Sequence, residues 1–121
     1  ERMEYPVDIW LRGDNHATTA VIGPVAREPR DWTDGDVASV IVGMLRAMDR
    51  MKHPDAEDDR PVALRGFSWI VNPFEGGGVV IAIEMSLGAA VAGPFDIAEG
   101  PLSAAIERVM TADRATTATI H

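Results

Sequence analysis

The chain has no cysteine. Disulfides, thiolate zinc sites and a cysteine nucleophile are therefore excluded. Small secreted domains often need such staples, so their absence favours a cytoplasmic protein. Basic residues are in short supply: 11 Lys and Arg stand against 19 Asp and Glu, a net charge of −8. A surface of that sign repels phosphate backbones and anionic bilayers, which argues against nucleic acid and membrane as partners. Long apolar runs are missing too. The longest, residues 79–83 and 87–95, fall far short of the roughly 20 residues that span a bilayer as a helix. No basic-then-apolar opening marks a secretory leader, and the chain begins with Glu1, which suggests a trimmed start.

What remains is an ordinary globular balance. The 121 residues are 46% hydrophobic and 25% charged, enough for one domain and too few for two. High Ala, Val, Gly, Asp and Arg usage fits a GC-rich bacterial genome.

Tyr5, Val7, Ile9 and Leu11 alternate with Pro6, Asp8, Trp10 and Arg12, the period of a strand with one covered face. Turn formers Gly13, Asp14 and Asn15 follow, and residues 17–22 read as the return strand of a hairpin that Gly23-Pro24 ends. Residues 24–32 are a loop. Thr33 or Asp34 caps a helix with Asp36 in its first turn. Val37, Val40, Ile41, Met44, Leu45, Met48 and Met51 form one helical stripe. Arg50, Lys52 and His53 suit its C-terminus, and Pro54 stops it. Residues 54–61 are an acidic connection. A second hairpin follows, residues 62–72 and 79–85 (extending as far as 91), turning through Gly76-Gly77-Gly78 and ended by Gly93-Pro94. Pro101 opens a last helix in which Leu102, Ala105, Ile106, Val109 and Met110 face one way. Residues 113–121 lack a pattern and read as a frayed tail.

The expectation is one domain with the order ββαββα: a first half at residues 5–53 and a second at 62–112. Each half is a hairpin, a Gly-Pro stop and an amphipathic helix, which suggests an internal duplication. A four-stranded antiparallel sheet with both helices on one face, a two-layer α+β sandwich, buries both stripes.

Alternation then assigns the open face of that sheet. Asp8, Trp10 and Arg12 lie on it from the first strand; Val80, Ala82 and Glu84 lie on it from residues 79–85. In residues 62–72, facing Arg65 towards the helices would bury a charge. Arg65, Phe67 and Trp69 are therefore expected outside, with Gly66 and Ser68 letting the helices lie close. The candidate surface is Trp10, Arg12, Arg65, Phe67, Trp69 and Glu84, with Asp8 beside them. Its aromatics would bury several hundred Å² at about 150–250 Å² each. The expected occupant is a second copy of the chain, giving a homodimer, or another protein.

No reaction chemistry stands out. His16, His53 and His121 lie in a turn, at a helix end and at the terminus, with no HExxH spacing for a metal. Asp55, Glu57, Asp58 and Asp59 lack the central glycine and closing glutamate of a calcium loop. Gly66-Phe67-Ser68-Trp69-Ile70 has isoleucine where a serine-hydrolase elbow needs glycine. The triple glycine lacks the Lys-Ser or Lys-Thr of a phosphate loop. Asp8 and Glu84 form a possible acid–base pair, but charged pairs across strands are ordinary surface features. The expectation is a non-catalytic interaction module without metal or cofactor. The second reading is a small-molecule binder or small enzyme with its site on the open face or against loop 24–32.

Overall fold

The computed structural model describes residues 3–54 and 66–119, the last seven by backbone alone. Five antiparallel strands form one sheet in the order β2-β1-β5-β4-β3, with two helices, α1 and α2, against it. The strands are β1 (Met3–Leu11), β2 (Thr18–Val25), β3 (Phe67–Pro73), β4 (Val79–Met85) and β5 (Gly88–Phe95). The helices are α1 (Asp34–Lys52) and α2 (Glu99–Thr119). The class is α+β as expected, with one strand more than the sequence suggests. The extra strand arises where Ser86-Leu87 turns the chain between the paired residues Met85 and Gly88. That turn has no Asn-Gly or Pro signal, so residues 79–91 read as one long strand. The acidic connection at residues 55–61 and the end of the tail lie outside the described residues.

Alternation decides the core. Val7, Ile9, Ile81, Ile83, Ala90 and Ala92 all point to one side of the sheet and are fully buried. The stripe of α1 lies against them through Val37, Val40, Ile41, Met44, Leu45 and Met48; α2 contributes Leu102, Ala105, Ile106, Val109 and Met110. Thr33 is the N-cap of α1. Its hydroxyl accepts from the Asp36 N–H at 3.2 Å, and the Asp36 carboxylate accepts from the Thr33 N–H at 3.0 Å, a reciprocal capping box. That backbone bond, helped by the Arg27 guanidinium, holds the Asp36 carboxyl below the usual carboxylate range. Arg108 of α2 grips Asp34 at 2.9 Å and lowers its pKa too, tying the start of α1 to the middle of α2. The backbone of α2 stays helical to Thr119, past the last apolar stripe residue, Met110. Its continuation includes Ala112, Arg114 and Ala115, residues of high helix propensity.

Neither Gly-Pro pair ends its strand. Gly23-Pro24 lies inside β2 and Gly93-Pro94 inside β5, each before a buried residue, Val25 or Phe95. Both peptide bonds are cis. Each pair sits where the ladder slips by one residue: Met3↔Val25 gives way to Tyr5↔Ile22, and Val79↔Phe95 to Ile81↔Ala92. These are β-bulges, which insert a residue and let the strand continue. Gly23 and Gly93 have φ of +105° and +119°, and a Cβ on either would stand 3.0 Å from the carbonyl oxygen of Met3 or Val79. The β1–β2 hairpin thus has the same bulge at the same place as β4–β5. In the sheet order the two hairpins stand side by side in the same orientation, one translated copy beside the other. Beneath the bulges Tyr5, Phe95 and Trp32 meet edge to face, with centroids 5.0–5.9 Å apart. Trp32 also donates its indole N–H to the Arg27 carbonyl oxygen at 3.0 Å, closing the loop before α1. Burial, with Glu28 nearby, pushes the Tyr5 phenol pKa up.

Candidate functional site

The open side of the sheet carries the residues that alternate with the core. Cross-strand pairing arranges them in rows. One row runs Trp10–Ala89–Glu84–Ser68, the next Thr19–Asp8–Val91–Ala82–Ile70. Trp10 is 38% exposed, Ile70 52% and Val21 56%, so three large apolar side chains stand in water on this face. Between Trp10 and Ile70 lie the small residues of the middle strands. Ala82, Ala89 and Val91, with Ser68, Ile70 and Glu84, line a shallow hollow of about 270 Å³.

Two of the expected site residues share this face, Trp10 and Glu84. Arg12 stands at its rim, just past the end of β1, where its Nε donates to the Ser86 carbonyl oxygen at 2.9 Å. Asp8 is on the face as expected and accepts a hydrogen bond from the Thr19 hydroxyl at 2.7 Å. Asp8 and Glu84 lie in neighbouring rows on strands separated by β5, so they do not form a directly opposed pair.

Phe67 and Trp69 are not on the open face. Phe67 pairs with Met85, Trp69 with Ile83 and Val71 with Ile81, and directly opposed residues share a side. Ile81 and Ile83 face the helices, so Phe67 and Trp69 do as well, half-buried against the core. Ser68 and Ile70 take the open positions instead. Arg65 lies outside the described residues. The phase of β3 follows the apolar gain of seating a Phe and a Trp beside α2.

Sequence reasoning missed Ile70, Val91 and Ala89. For Ile70 the signal was present, since the alternative phase of residues 64–71 places it there. For Ala89 and Val91 the missing turn at 86–87 hid the strand. Among the described residues no group of three or more His, Asp or Glu side chains lies close enough to hold a metal. No described helix is long and apolar enough to cross a membrane.

Comparison of the chain with protein-family models, with curated proteins and with solved structures gives no match.

Proposed function

We propose that the chain is an assembly module that pairs with a second copy through its open sheet face. The observation that carries this reading is the knob and hollow on that one face: Trp10 on one side of β5, the depression over β4 and β3 on the other. β5 is the middle strand of the five. A two-fold axis lying along β5, between two facing sheets, sets β1 of each copy over β4 of the other. Trp10 and the hollow occupy the same rows, so each tryptophan then enters its partner's hollow. A two-fold interface requires this kind of self-complementarity. The same operation brings Arg12 of one copy towards Glu84 of the other, twice. Glu84 has no side-chain partner among the described residues, and a reciprocal ion pair would compensate its desolvation.

The size of the face sets the strength. Five strands about 4.8 Å apart and six residues at about 3.3 Å rise give a footprint of roughly 20 Å by 20 Å. Two copies together bury roughly 800–1,000 Å² this way, the range of weak and transient interfaces. Micromolar pairing follows, with the −8 charge of each copy opposing it at low salt. The small-molecule reading is less well supported. The hollow of about 270 Å³ is open and offers one carboxylate, whereas ligand pockets are typically enclosed and of about 300–1,000 Å³.

Ala82→Glu tests the proposal, because Ala82 lies on the open side of β4, between Ile70 and Val91 in the hollow, and alternates with the buried Ile81 and Ile83. Light scattering over a concentration series should show the parent chain associating and the variant monomeric at least tenfold higher, with an unchanged circular dichroism spectrum. A parent chain that is monomeric at about 1 mM, or a variant that pairs equally well, sinks the reading.

A further inference from the structure

β2 is an edge strand: it pairs with β1 on one side, and no described strand lies on the other. The Arg12 N–H donates to the Leu87 carbonyl oxygen at 3.0 Å, continuing the register of Leu11↔Gly88. Even-numbered residues of β1 therefore turn their backbone groups to β5 and odd-numbered ones to β2. Through Ile9↔Thr18, Val7↔Ala20 and Tyr5↔Ile22, residues 18, 20 and 22 bond inward. Thr19 and Val21 are left presenting N–H and C=O along the open edge. Pro24, having no N–H, closes that row of donors.

Helix α1 runs beside this edge. A groove of about 480 Å³ lies between them, walled by residues 21–25 on the strand side and by Ala38, Val42, Gly43, Arg46 and Arg50 on the helix side. Five strand residues extend about 16 Å and helix residues 38–50 about 18 Å, so the groove has the length of four or five extended residues. Its charge is opposite to that of the molecule. The chain carries −8, yet among the described residues no Asp or Glu lines the groove, while the exposed Arg50 stands one turn beyond Arg46 on the same helix face. Unpaired edge backbone selects an extended peptide, and guanidinium groups select carboxylates.

We propose that the β2–α1 groove takes up an extended acidic peptide segment as an added strand. The segment bonds to the outward backbone groups of Thr19 and Val21. Its alternate side chains lie along Ala38 and Val42, and its carboxylates meet Arg50. This surface meets the open face along β2, where Thr19 and Val21 turn side chains to that face and backbone to the groove, and the two proposals fail separately when binding is measured in the Ala82→Glu background.

The probe is a fluorescent octapeptide alternating valine and threonine and ending in two glutamates, followed by anisotropy at low salt. Its control is the same peptide ending in two lysines. The acidic peptide should bind at least tenfold more tightly. Arg50→Glu should weaken it tenfold or more. Val21→Pro should abolish binding while circular dichroism stays unchanged, because the Val21 N–H takes no part in the ladder and proline is accepted at such an edge position. Equal binding of both peptides, or affinity unmoved by both substitutions, overturns the proposal. So does competition by free glutamate as effective as by the peptide, which would make the groove a small-anion site. If Ala82→Glu protein stays dimeric and Val21→Pro makes it monomeric, the edge pairs with a second β2 and the acidic peptide is not its occupant.

Discussion

Trp69 and Trp10 show how little a residue type says without its neighbours. Both are half-exposed tryptophans on strands, yet Trp69 leans on Ile83 beneath α2 and Trp10 stands over alanines on the far side of the sheet. Truncating a fully buried tryptophan costs about 3–5 kcal/mol. Trp69→Ala, from a half-buried site, should cost about 2–3 kcal/mol in urea unfolding of the monomer. Trp10→Ala should change that monomer stability by no more than about 0.5 kcal/mol and weaken self-association instead. Equal losses of stability for the two would mean that both tryptophans are core. The charge of Arg65 and the apolar bulk of Phe67 and Trp69 suggest opposite phases for β3, and the packing of the two aromatic side chains decides it.

At the scale of elements, α1 is the part that its residues specify most fully. The apolar spacing, the Thr33 cap, the basic last turn and Pro54 agree with one another, and the helix spans Asp34–Lys52. The Gly-Pro pairs are the opposite case. In a sequence they read as terminators; in the sheet they are matched bulges that carry β2 and β5 on to Val25 and Phe95. An L-residue strained at positive φ costs about 1–3 kcal/mol. Gly23→Ala and Gly93→Ala should each lose about that much in thermal or urea unfolding. Gly93→Ala should lose more, since its Cβ would also press on the Phe95 ring at 3.2 Å. Melting unchanged by either substitution would show that the bulge does not depend on glycine.

For the whole molecule, acidity acts in two directions. Protonating carboxylates shrinks the −8 net charge and relieves self-repulsion. Asp34 and Asp36 oppose this, because their folded pKa values lie below their unfolded ones, near 3.9. The stability they contribute is complete above about pH 4 and is lost as pH falls through the folded values, where the unfolded chain binds more protons. Melting temperature should therefore fall as pH drops below about 4, and Asp36→Ala should make that fall shallower. An equally steep acid limb in the variant would remove the capping box from the account. The molecule as a whole is also lopsided. Both helices and the aromatic cluster sit on one side of the sheet, leaving the other to Trp10, Ile70, Val21 and the alanines.

The sequence by itself determined what depends on neighbours within a turn or a pleat. The alternation of Tyr5, Val7, Ile9 and Leu11 and the stripe of α1 are local periodicities, so they settle which side of each element is apolar. They also place Trp10, Glu84 and Ala82 on the open face. Only the tertiary structure decided what depends on partners distant in the chain. The turn at Ser86-Leu87 exists because β5 finds β1 on one side and β4 on the other. The phase of β3 follows from its pairing with Ile81 and Ile83 and from the wall that α2 provides. The bulges need the carbonyls of Met3 and Val79 opposite their glycines. The groove beside β2 arises where an edge strand and a helix, each legible alone, come to lie side by side.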